Sequence, residues 1–190
     1  MIDFALAGKT AIVTGGTAGI GRAVATQFVK AGARVGVVGR REAGTAIAIE
    51  IGGTFFNADV TDQSQVAALF AVAATEFGPL DVIVLNAGID PGQATIADTE
   101  PEDLERNLDV NFRHVFWGLK HGPVRMRDGG SIRNRNRRPR QDGFIFGSVN
   151  VADIHCRRCN VVNSTRPKRR RCPPRAAILR SIFRSSFAAS

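Results

Sequence analysis

Tyrosine is absent from this chain, and cysteine does not occur before Cys156. No phenol is therefore available anywhere as a proton donor, and the long N-terminal part is silent on redox compartment. There is no apolar run of about 18 residues or more, so no membrane-spanning helix is expected. A basic segment followed by an apolar stretch is also missing from the N-terminus, so no secretory signal is expected and the cytoplasm is the default compartment. With 190 residues and 44% apolar content, the chain can core one domain but not two.

Charge is unevenly spread. The net charge is +9, yet residues 1–132 hold 11 Lys and Arg against 15 Asp and Glu, while residues 133–190 hold 15 against 2. The basic character belongs to the second part, and so do Cys156, Cys159 and Cys172. The sequence thus divides into a unit over 1–132 and an Arg- and Cys-rich tail over 133–190, expected to be poorly ordered.

Within 1–132, short apolar runs alternate with helical patterns. Thr10 to Val13, Arg34 to Val38, Thr54 to Asn57 and Val82 to Leu85 read as buried parallel strands. Between them, Arg22–Ala31, Ala43–Ile51 and Ser64–Phe77 read as helices, the first with Ala23, Val24, Phe28 and Val29 at helical spacing. A long helix is expected over Pro101–Leu119, acidic in its first turn. Strands spaced by helices imply an α/β fold, a Rossmann-type doubly wound parallel sheet that is incomplete at its C-terminal side.

The chemistry sits where strands end. Thr14-Gly15-Gly16-Thr17-Ala18-Gly19-Ile20-Gly21 lies directly between the first strand and the first helix, the context that gives a glycine-rich turn its meaning. Gly15 permits a sharp turn, Gly19 lets backbone approach a pyrophosphate, and Gly21 allows close packing of helix on strand. The N-terminus of the helix then offers free N–H groups and the positive end of its dipole.

Gly15, Gly19 and Gly21 have the Gly-x-x-x-Gly-x-Gly spacing of the short-chain dehydrogenase/reductase family, and three further segments resemble it. Asn57-Ala58-Asp59-Val60 is similar to the family segment after the third strand, which implies that Asp59 contacts the adenine ring. Asn86-Ala87-Gly88 matches the Asn-Ala-Gly motif that borders the cofactor, and Asn111 resembles the helix Asn that holds a water in the proton-relay path. Gly129-Gly130-Ser131-Ile132 is similar to the start of the fifth strand. The resemblance runs from about Leu6 to Ile132. It implies an NAD(P)-dependent oxidoreductase acting on an alcohol/carbonyl pair, and it allows a homo-oligomer. The cofactor site would comprise Thr14, Gly15, Thr17, Gly19, Ile20, Gly21, Arg40, Asp59, Val60, Asn86, Ala87 and Gly88. Plainer readings stay open: Asp59 as a helix cap, Asn86 as a turn residue, Asn111 as an exposed helix Asn.

The choice between NAD and NADP rests on Val38-Gly39-Arg40-Arg41-Glu42. An acidic side chain at the end of the second strand favours a free ribose 2′-OH, and a basic one favours a 2′-phosphate. Gly39 stands where the acid would be, and Arg40 can pair with a phosphate bidentately, so NADP is favoured. Glu42 argues the other way.

The family pattern fails after Ile132. Family members use a Tyr with a Lys four residues later and an assisting Ser; this chain has no Tyr, and its only Lys beyond that point is Lys168. Where the Ser would stand, the chain reads Arg133-Asn134-Arg135-Asn136-Arg137-Arg138, which is not expected to continue a strand buried on both faces. A second apolar run, Gly143–Gly147, precedes Ser148 and imitates a strand ending in a catalytic Ser. The tail has three readings. Its arginines suit nucleic acid, although that partner is the weaker reading. Cys156-x-x-Cys159 with Cys172 and His155 has ligand-like spacing but is incomplete, so no metal is expected. An unselected, out-of-frame or alternatively spliced ending accounts best for the abrupt change in composition. The chain as written is thus expected to bind a dinucleotide and to be impaired or inactive as a dehydrogenase; the alternative is a non-catalytic dinucleotide-binding or interaction module.

Overall fold

A computed structural model describes residues 5–90, 95, 97–134 and 159–163. The described strands are β1 (Thr10–Thr14), β2 (Arg34–Gly39), β3 (Thr54–Asn57), β4 (Leu80–Leu85), β5 (Met126–Asn134) and β6 (Cys159–Asn163). Helices α1 (Gly19–Lys30), α2 (Gly44–Ile51), α3 (Gln63–Phe77), α4 (Pro101–Leu108) and α5 (His114–His121) connect them. All strand pairs are parallel, in the order β3-β2-β1-β4-β5-β6.

This order follows from the chain path. From β1 the chain moves outward through β2 and β3, then returns to place β4 on the other side of β1. The two directions part between β1 and β4, and such a switch point opens a crevice at the C-terminal strand ends.

Every residue of β1 and of β4 is buried, as expected for β-branched and apolar strands covered on both faces. Because successive side chains alternate, Ile12 joins a core with Phe70, Ile83, Leu85 and Val115 from the α3 and α5 side. Ala11 and Val13 join another with Val24, Phe28, Val35 and Val84 on the α1 and α2 side. At the end of the sheet away from the crevice, the Asp81 carboxylate holds Lys9 Nζ at 2.8 Å and accepts from the Thr10 N–H at 3.1 Å, tying the starts of β1 and β4 together.

Two expectations are corrected. The helix expected over 101–119 is divided by a π-helical turn at Asp109–Arg113, whose widened hydrogen bonding separates α4 from α5. The strand expected to stop at Ile132 continues through Arg133 and Asn134, both buried. Main-chain pairing decides this end: Arg133 is registered with Val84 and Val162, and Asn134 with Leu85 and Asn163. A ladder on both sides satisfies the backbone in spite of the polar side chains. On its outer side β5 is paired by β6, Cys159–Asn163.

Candidate dinucleotide site

Thr14 ends β1 and Asn86 follows β4, and the two are bound to each other. The Thr14 hydroxyl accepts from the backbone N–H groups of Asn86 at 2.9 Å and of Ala87 at 3.1 Å. The Asn86 side-chain amide donates back to the Thr14 carbonyl at 3.0 Å. The crevice floor is therefore a pair of strand ends cross-linked by polar bonds, and the open turn-residue alternative for Asn86 gives way to a buried bridging role.

The glycines differ in what they do. Gly15 has φ +63°, and a Cβ there would lie 2.9 Å from Ala87 Cα, so both the turn and the Asn-Ala-Gly shelf require its bareness. A Cβ on Gly21 would fall 2.2 Å from the Gly15 carbonyl oxygen and 2.4 Å from the Asn86 amide nitrogen, so α1 presses directly on the turn. Gly19, at φ +50°, faces open space. Gly16 N–H donates to the Val38 carbonyl at 3.2 Å, fastening the turn to β2. A Cβ on Gly39 would sit 2.9 Å from the Thr17 methyl, so the acid absent from position 39 would also be crowded there. Ile20 is half-buried against the α1-side core.

The helix starts also differ. Asp62, not Asp59, caps α3, accepting from the N–H groups of Ser64 at 2.7 Å and Gln65 at 3.2 Å. Ala18 stands at the same position of α1 and supplies no side-chain acceptor. The first N–H groups of α1 therefore have no side-chain cap, and the space where a Cβ on Gly19 would stand is open, an arrangement that suits an external anion. An uncapped helix start over a bare glycine fits a pyrophosphate.

Beyond the turn, Arg40 Nη1 lies 3.6 Å from Asp59 Oδ2 across the ends of β2 and β3. Asp59 also accepts from the Thr61 N–H at 2.9 Å and the Thr61 hydroxyl at 2.8 Å. Burial pushes the Asp59 carboxyl up, but the Thr61 hydrogen bonds and the Arg40 charge outweigh it and hold the group below its ordinary value. Val60 turns away into the α3-side core. A cleft of about 400 Å³ adjoins Arg40, lined by Thr61, Ile89 and Val110, with Glu105 and Arg106 of α4 on its wall.

Asn111 lies in the π turn and staples it to the segment after β4. Its amide donates to the Ile89 carbonyl and to Asn107 Oδ1, each at 3.0 Å, and its oxygen accepts from the Ile89 N–H at 3.0 Å. Gly88 allows this approach, since a Cβ would stand 2.9 Å from the Asn111 oxygen. Both amide hydrogens of Asn111 are thus committed to protein. Ser148, Cys156, Cys172 and His155 lie outside the described residues.

The short chain dehydrogenase family model matches residues 9–134. The chain belongs to the short chain dehydrogenase family. An NADP-dependent (R)-specific alcohol dehydrogenase of Lentilactobacillus kefiri is 42% identical over 130 residues, covering 66% of this chain and 51% of that protein. A 3beta-hydroxysteroid dehydrogenase of Mediterraneibacter gnavus is 37% identical over 154 residues, 77% of this chain and 56% of its own length. A short chain dehydrogenase of Burkholderia cenocepacia solved in complex with NADP superposes with a TM-score of 0.64 at 32% identity, over 68% of this chain and 55% of that one. The chain therefore spans about half the length of the curated relatives it matches. Among its described residues no helix is long and apolar enough to cross a membrane.

Sequence reasoning missed one polar residue at these strand ends. His114, fully buried in α5, places Nε2 3.0 Å from the Thr14 hydroxyl and Nδ1 3.0 Å from the Val110 carbonyl. A signal was present in the four-residue spacing of His114, Gly118 and Gly122. A Cβ on Gly118 would meet Leu85 at 2.4 Å, and one on Gly122 would meet Ile83 at 2.7 Å, so this face of α5 lies close on β4 and carries His114 to the strand ends.

Proposed function

We propose that this chain binds NADP(H), and NAD(H) more weakly, in the crevice over β1 and β4, as the dinucleotide-binding part of an alcohol/carbonyl oxidoreductase. The observation that carries this reading is the uncapped start of α1 over Gly19, held against the Thr14–Asn86 floor. In this reading the N–H groups of the Gly15–Gly21 turn hold the pyrophosphate, Arg40 meets the 2′-phosphate and Asp59 the adenine. Thr14, Thr17, Ile20, Asn86, Ala87 and Gly88 shape the walls, and Val60 backs them from the core. When bound, the nicotinamide supplies or accepts a hydride.

Proton transfer at the substrate oxygen is where the chain falls short. It contains no tyrosine, and Asn111 has spent both amide hydrogens. General acid–base assistance is commonly worth about 10² to 10⁴ in rate, so the chain as written is proposed to turn over poorly or not at all. The absence of tyrosine also favours a second reading, a dinucleotide-binding module without catalysis. The cytoplasm is the proposed location, a small alcohol or carbonyl the proposed substrate class, and a homo-oligomer the proposed assembly. The test is a panel of simple alcohols and ketones with NADPH, NADP, NADH and NAD. Rates of about 1 to 10³ per second would overturn the claim of impairment, and a panel without turnover alongside saturable NADPH binding supports it.

A further inference from the structure

The Thr14 hydroxyl has one proton and two lone pairs, and it sits among four partners. Asn86 N–H and Ala87 N–H donate to it, and it can donate either to His114 Nε2 at 3.0 Å or to the Val84 carbonyl at 3.3 Å. The other imidazole nitrogen decides between them. The Val110 carbonyl only accepts, so Nδ1 at 3.0 Å must carry the ring proton, which leaves Nε2 as an acceptor in the neutral ring. The Thr14 proton then goes to Nε2, the shorter of the two contacts, and both lone pairs stay with the Asn86 and Ala87 N–H groups. Were Nε2 protonated, three donors would converge on one oxygen.

We propose that His114 is a positioning residue for the dinucleotide turn, acting by fixing the direction of the Thr14 hydroxyl and thereby the placement of the Asn-Ala-Gly shelf beneath the Gly15–Gly21 turn. It touches no cofactor in this scheme; it acts through Thr14. The bond links α5, which follows the π turn, to the end of β1, so the turn's floor is set from a helix about a hundred positions later in the chain. Burial supports the same state, holding the His114 ring neutral well below its ordinary range.

The inference rests on the dinucleotide reading, and the experiment separates the two. NADPH affinity is measured by calorimetry on the full chain and on His114→Leu, His114→Gln, Thr14→Val and the double variant Thr14→Val/His114→Leu, at a temperature where each is folded. His114→Leu is expected to weaken NADPH by about three- to tenfold, the scale of one neutral hydrogen bond, while His114→Gln, whose side-chain oxygen can accept from Thr14, recovers part of the loss. In the Thr14→Val background His114→Leu is expected to add nothing, a coupling that general loss of packing would not produce. Nitrogen NMR of the unaltered chain should show the imidazole protonated on Nδ1, a readout that survives even if a variant fails to fold. An Nε2-protonated ring, or unchanged NADPH affinity in His114→Leu, overturns the inference while leaving the dinucleotide reading intact. Absence of NADPH binding by the unaltered chain overturns both.

Discussion

Arg40 and Asp59 face each other 3.6 Å apart at the ends of neighbouring strands, with the arginine side chain 59% exposed and the carboxylate 32%. An ion pair this open is worth about 1 kcal/mol or less, so Arg40 can leave Asp59 for a better partner. A 2′-phosphate is such a partner, because a charge-assisted bidentate contact exceeds a single long one. Arg40→Ala is therefore expected to weaken NADPH by about tenfold or more and NADH by much less, at roughly 1.5–3 kcal/mol for the lost contact. Competitive titration of the two dinucleotides checks this, and equal losses would contradict it.

Gly21 and Gly19 differ in what a methyl group would meet. At Gly21 it would enter the Gly15 carbonyl at 2.2 Å, and backbone there has nowhere to go without opening the Thr14–Asn86 floor. Gly21→Ala is expected to destabilise the fold by about 3 kcal/mol, the upper range for overpacking. Gly19→Ala meets open space and loses only about 1–2 kcal/mol through its left-handed backbone. Urea denaturation of the two variants side by side measures the difference.

His114 ties stability to pH. Burial lowers it from the ordinary 6.5 to about 4, and the hydrogen bond with the Val110 carbonyl opposes this only in part. Between those values the unfolded chain binds more protons than the folded one, so stability rises with pH. The contribution is complete above about pH 6.5 and is lost as pH falls toward about 4, on the order of 3 kcal/mol over the window. Denaturation of the unaltered chain and of His114→Gln at several pH values between 4 and 7 should show a steeper slope in the former, the slope left in the variant coming from His121, which burial and the Lys120 charge also hold below its ordinary value.

Much of this architecture is legible in the residue order, for physical reasons that differ from element to element. β1 and β4 announce themselves because the middle of a strand buried on both faces must be apolar, as at Ala11–Val13 and Val82–Leu85, and the turn after β1 because only glycine tolerates positions 15 and 21. The break in the long helix was not legible: Asp109–Arg113 keeps helical character, and the widened turn is set by Asn111 reaching across to Ile89. The end of β5 was misread because side-chain polarity at Arg133 and Asn134 was weighed against burial without the ladder that β6 provides. His114 was passed over because its partner, Thr14, is a hundred residues away, and the spacing it shares with Gly118 and Gly122 points to β4 only once α5 is laid against that strand.

The central claim is that the start of α1 and the Gly15–Gly21 turn hold a dinucleotide phosphate. Calorimetric titration of the full chain with NADPH, run beside Gly19→Val, tests it most directly. The unaltered chain should bind one NADPH saturably. Gly19→Val should not bind, because a branched side chain then stands in the space over the turn and a left-handed φ is imposed on a β-branched residue. No heat of binding with the unaltered chain, or equal affinity in Gly19→Val while that variant remains folded, would contradict the account.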